Sequence, residues 1–150
     1  MIGIKRWSLS MNAPKTNPQK SKLSSKENNP FCNKSTLSYY LHDFVNRKGF
    51  KESSVYKAAG IGKNTWSNIY SGLTCPDQLT ARKLVIGLKA TYDEACQILQ
   101  KCGYTWSETS FDECIINCLK AHIYIWNDVL SYIQLKAPEW LDGRFKKLAA

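Results

Sequence analysis

Between residues 35 and 136, seven stretches with helical apolar spacing follow one another, and most are closed by glycine or proline. In "STLSYYLHDFVNRKG" the residues Leu37, Tyr40, Leu41, Phe44 and Val45 recur on one helical face, and Gly49 ends the run. "ESSVYKAAG" stops at Gly60, and "KNTWSNIYSG" stops at Gly72. "PDQLTARKLVIGLKA" begins at Pro76 and carries Leu79, Leu84, Val85 and Leu88. "TYDEACQILQKCG" opens on a capping box, in which Thr91 bonds the Glu94 amide and Glu94 reaches back. Ser110 and Glu113 are expected to open "SFDECIINCLKAH" in the same way, and "YIWNDVLSYIQL" runs up to Pro138. No stretch alternates as a half-buried strand does, and no internal repeat is visible. The fold class expected is all-α, a compact helical bundle over residues 35–136.

The flanks read differently. Residues 1–34 carry seven Lys and Arg against one Glu, so +6 of the net +9 lies there. "NAPKTNPQKSKLSSKENNP" has no apolar period and too little apolar surface to offset its ordering entropy. It is expected to be a disordered basic arm, of a kind that attracts phosphate backbones without regard to sequence. Residues 137–150 are expected to form a C-terminal tail. No apolar run is long enough to cross a bilayer, and "MIGIKRWSLSMNAPK" lacks the features of a signal peptide. The expectation is therefore a soluble, cytoplasmic protein with no membrane partner. In that compartment the six cysteines should be reduced thiols. Cys114, Cys118 and His122 share one helical stripe but lack zinc-type paired spacing, so the stripe reads as core packing and no metal is expected.

Chemistry for catalysis is sparse. There is no phosphate-cradling glycine loop, HExxH helix or nucleophile elbow. His42 and His122 are far apart in sequence, and Asp112 and Glu113 are accounted for by a helix N-terminus, where negative charge is favoured. Neither an enzyme nor a cofactor is expected.

The stretch "AAGIGKNTWSNIYSG" carries the functional reading. Val55, Ala59, Ile61, Trp66 and Ile69 fall at inward positions of two short helices, with Gly60 in the turn between them. Trp66 and Ile69 should pack against Leu41, Phe44, Val55 and Leu84. Together with the "SG" that follows, Pro76, Leu84, Leu88 and "TYDEACQIL", this order resembles the Xre/Cro-type, phage-repressor-like helix-turn-helix family over about residues 36–100. A looser series also runs through Ala59, Ile61, Lys63, Trp66-Ser67, Ile69, Leu88, Glu94-Ala95, Leu99, Gly103-Tyr104, Ser107, Asp112 and Asn127. It is similar to bacterial helix-turn-helix modules that occur alone or appended to signalling and defence proteins, and implies that the C-terminal helices belong to the same domain.

The resemblance implies a bacterial or phage transcription regulator, repressor-like, whose third helix enters the major groove of double-stranded DNA. Its DNA-binding residues would be Lys63, Asn64, Thr65, Ser67, Asn68 and Ser71. Asn pairs bidentately with adenine, and Lys neutralises phosphate. Two positions depart from the family pattern: Tyr56 stands where Ala is usual, and Glu52 where a phosphate-contacting Gln is usual. The alternative is a protein-interaction adaptor built on a degenerate helix-turn-helix. Ile115, Ile116, Leu119, Ile123, Ile125, Trp126, Val129, Leu130 and Ile133 offer apolar surface for the domain itself, a homodimer or another protein.

Overall fold

The computed structural model describes residues 30–141, which form seven α-helices and a 3-10 turn, with no β-strand among them. The helices are α1 (Lys34–Lys48), α2 (Glu52–Ala59), α3 (Lys63–Tyr70), α4 (Gln78–Gly87), α5 (Tyr92–Cys102), α6 (Ser110–Lys120) and α7 (Trp126–Lys136), followed by the turn Pro138–Leu141. The all-α expectation holds. The basic arm up to residue 29, and the tail from residue 142, lie outside the described residues.

Side chains start four of the helices. Asn33 accepts from the Thr36 amide, Asp77 from the Thr80 amide, and Thr91 and Glu94 form the expected capping box. At α6 the expected cap is displaced by one residue. Thr109, not Ser110, accepts from a first-turn amide, that of Asp112. Ser110 instead accepts from Trp140 Nε1 at 2.9 Å, which brings the 3-10 turn back onto α6.

The helix ends are more uniform than the starts. Each of α1 to α6 closes on a left-handed residue: Gly49, Gly60, Gly72, Lys89, Gly103 and His122. In every case its N–H returns to the carbonyl three residues back, and the next N–H to the carbonyl five back. These paired bonds satisfy carbonyls that a helix end would otherwise leave open.

The core is continuous from α1 to α7. Leu37, Leu41, Phe44, Val55, Trp66, Ile69 and Leu84 are buried together, as expected, and the same cluster takes in Ile115, Trp126, Val129 and Ile133. The C-terminal apolar residues thus mostly complete the protein's own core, although Ile125 is 49% exposed. Trp126 lies against the turn between α2 and α3, where a Cβ on Gly60 would come within 3.2 Å of it. Helices α2 and α4 approach more closely still. A Cβ on Gly87 would meet the Val55 carbonyl oxygen at 2.5 Å and the Ala59 Cβ at 2.6 Å.

One buried ion pair ties the two halves together. Arg82 of α4 and Asp112 of α6 are 3% and 1% exposed. Arg82 Nε donates to Asp112 Oδ1 at 2.8 Å and Nη2 to Oδ2 at 3.0 Å, while the rest of the guanidinium reaches the carbonyls of Gln78 and Thr105. Ser107 adds its amide at 2.7 Å and its hydroxyl at 2.8 Å to Oδ2. Asp112 therefore does more than complement a helix end, which was the role expected for it.

The cysteines also depart from expectation. Cys32 and Cys75 form a disulfide, although reduced thiols were expected throughout. The packing of α1 against α3 brings the entry to α1 beside the loop after α3, a proximity invisible across 43 residues of sequence. Cys102, Cys114 and Cys118 are buried thiols, as the core-packing reading requires. Burial pushes the Cys102 thiol up to about 12 and Cys118 to about 11, which disfavours the thiolate that a metal would need. His122 leaves the stripe: past the end of α6, it is exposed and turned toward Tyr124.

Two stability predictions follow from this packing. Gly87→Ala should destabilise the protein by about 1–3 kcal/mol through overpacking, against the roughly 1 kcal/mol gain that helix propensity alone would give. Urea denaturation measures the sign; a stabilised variant would show that α2 and α4 can move apart at no cost. Asp112→Ala should lose about 3–5 kcal/mol by stranding the buried guanidinium. Joint replacement by Arg82→Met and Asp112→Leu should cost less than Asp112→Ala alone.

Candidate nucleic-acid interface

Helix α3 has two sides. Trp66 and Ile69 are each 1% exposed and point into the core. Lys63, Asn64, Thr65, Ser67, Asn68 and Ser71 are all exposed. Asn64, Ser67, Asn68 and Ser71 stand at i, i+3, i+4 and i+7, so they form one stripe along the outer midline, with Lys63 and Thr65 on its flanks. Ser71 lies just past the end of α3, and its hydroxyl donates to the Asn68 carbonyl at 3.4 Å. No side chain caps the start of α3, where Gly62 is the N-cap residue. Lys63 therefore sits beside uncapped first-turn amides, at the end of the helix where the dipole favours an anion over a cation.

Contacts behind the stripe hold α3 in place, and local sequence gave little sign of most of them. Four rings stand in a column through this part of the domain. Tyr56 is tilted against Trp66 at 6.5 Å between centroids, Trp66 stacks on Tyr70 at 4.7 Å, and Tyr70 stacks on His42 at 3.7 Å. The bulky Tyr56 thus finds a place in the column where the two helices meet. Two α1 side chains secure the end of α3: Ser38 Oγ donates to the Tyr70 carbonyl at 2.6 Å, and His42 Nε2 lies 3.0 Å from the same oxygen. Burial, with Glu52 nearby as the smaller cause, raises the Tyr70 phenol above its ordinary range.

Glu52 has a structural task that its position in the motif did not suggest. Its Oε1 accepts from Trp66 Nε1 at 2.9 Å, which bridges the start of α2 to the middle of α3. The indole nitrogen, the one polar atom on an otherwise apolar ring, is thereby satisfied. The carboxylate also stands in the first turn of α2, where negative charge is favoured. Tryptophan fourteen residues after a glutamate carries no local signature, so only the crossing of α2 and α3 reveals the pair.

No protein-family model matches the chain, and neither does any curated protein or solved structure.

Trp66→Ala should cost about 3–5 kcal/mol, as large-to-small changes in well-packed cores do. Glu52→Gln keeps an acceptor for the indole and should leave stability within about 0.5 kcal/mol of the parent. Thermal or urea unfolding of the two variants checks both. A tolerated Trp66→Ala would mean that the ring column does not support α3.

Proposed function

We propose that the protein is a sequence-specific DNA-binding regulator of helix-turn-helix type, with α3 as the helix that enters the major groove. The observation that carries this reading is the stripe Asn64, Ser67, Asn68 and Ser71, exposed on a short helix whose opposite face is anchored by Trp66 and Ile69. These side chains are short and can both donate and accept hydrogen bonds, as base edges require. Their rigid backing matters as much as their chemistry, because a reading helix must hold its side chains at fixed positions.

Lys63 is suited to a backbone phosphate, and the uncapped amides beside it favour the same negative group. Exposed Lys51 and Lys57 at the ends of α2 add to the positive charge beside the turn. The arm adds long-range attraction through the +6 carried by residues 1–34. Regulation would follow from occupancy of an operator. A homodimer would select paired half-sites about one helical turn apart, whereas a monomer would select a single site.

Selection from a randomised duplex pool at moderate salt should therefore enrich a sequence. Asn64→Ala, Ser67→Ala and Asn68→Ala should each relax one or two base pairs of it, by about 1–3 kcal/mol per lost contact. Lys63→Ala should weaken binding to all sequences alike and lower the salt slope by about one. A pool that yields no enriched sequence would remove the operator reading and leave the adaptor, for which the polar stripe should be silent.

A further inference from the structure

A cleft of about 490 Å³ lies between α2 and the loop that joins α6 to α7. It is separate from the α3 stripe. Ser54 and Ala58 of α2 line it, while Glu52 and Tyr56, two residues from Ser54 and so on the opposite side of the helix, face Trp66. Phe50, Val55, Ile123 and Ile125 give the cleft an apolar body. Its size falls within the range of pockets that hold small molecules.

The two basic side chains that line this cleft are held at a conformational cost. Lys89 and His122 both line it, and they are the two non-glycine residues with positive φ among the described residues, at 54° and 61°. Each closes its helix with the paired bonds that Gly49, Gly60, Gly72 and Gly103 make elsewhere in the chain. Glycine adopts this conformation without strain, whereas a Cβ opposes it. Four helices therefore use the easy residue, and the two that do not both direct their exceptions to one cleft. Strained residues of this sort gather where a ligand is held.

The heads are also pre-set. Lys89 Nζ stands 5.9 Å from the centroid of the Phe50 ring. His122 Nδ1 lies 2.8 Å from the Tyr124 hydroxyl; in the tautomer that accepts there, Nε2 carries the proton and can donate. Among the described residues Lys89 has no carboxylate partner. Asp128, the carboxylate on the wall, stands in the first turn of α7, where the positive end of its own helix offsets its charge. The geometry points to a binding site for a small organic carboxylate with an apolar body, its charge on Lys89 and His122 and its body over Phe50 and Ile125.

The test separates this role from that of a helix end that happens to be cationic. The full chain would be titrated with 3-phenylpropionate by heteronuclear NMR, with inorganic phosphate and benzylamine as the charge-only and opposite-charge probes. The expected result is saturable shifts at Ser54, Lys89 and Ile123 with 3-phenylpropionate, and binding at least about tenfold weaker for the other two. Lys89→Gly and His122→Gly should each weaken the carboxylate about tenfold or more, the effect of losing one charge-assisted bond, while the unfolding temperature holds or rises because glycine relieves the strain. Absence of binding, or equal binding of benzylamine, would overturn the site. So would glycine variants that lose stability and bind as the parent does, since the two residues would then serve only their helix ends.

Discussion

Asp112 receives four hydrogen bonds, two from Arg82 and two from Ser107, inside a region that water does not reach. A buried ion pair of this kind gains little over an apolar contact unless further hydrogen bonds satisfy it, and here Ser107 adds two to the carboxylate while the guanidinium also reaches the carbonyls of Gln78 and Thr105. Its main consequence is geometric. The guanidinium fork fits the carboxylate in one relative position of α4 and α6, and the Thr105 carbonyl and Ser107 amide draw the connecting loop into the same arrangement. With α6 set against α4, the core can run on through Ile115 to Val129, Ile133 and Trp126. Trp126 then reaches the turn between α2 and α3. The C-terminal helices therefore buttress the candidate reading unit.

The same unit is confined on its other sides by contacts of different chemistry. Gly87 lets α2 lie almost on the backbone of α4. The ring column from Tyr56 to His42 and the disulfide Cys32–Cys75 hold α3 and the loop after it to α1. An eight-residue helix is too short to be stable alone. Its order has to come from these neighbours, which is why its outer face is open to short polar side chains with no packing duty.

The left-handed closures connect the fold to the cleft. Glycine is the residue that this geometry favours, so a side chain placed there is informative where glycine would be ordinary. Lys89 and His122 are 33 residues apart in the chain and nothing local links them; packing of α4 and α6 sets them on one wall. The ion pair that orients the C-terminal helices thus also shapes the cleft.

Sequence alone was enough for the features decided within a few residues. Helix existence and most helix ends could be read from apolar period, glycine and caps, because a turn of helix joins residues three or four apart. The inward Trp66 and Ile69 and the outward Asn64, Ser67 and Asn68 followed from the same period. Local chemistry was less decisive at the start of α6, where Ser110 was the expected cap and Thr109, one residue earlier, takes that role beside the buried Asp112. What only the tertiary structure decided are the pairs that join distant segments: Arg82 with Asp112, Cys32 with Cys75, His42 with Tyr70, and Glu52 with Trp66. Each member has an adequate local explanation, as a helix-face cation, a reduced thiol, a surface imidazole or an N-terminal carboxylate. The partners become visible only when packing of the apolar faces brings separate helices within bonding distance, because that packing depends on the whole core at once.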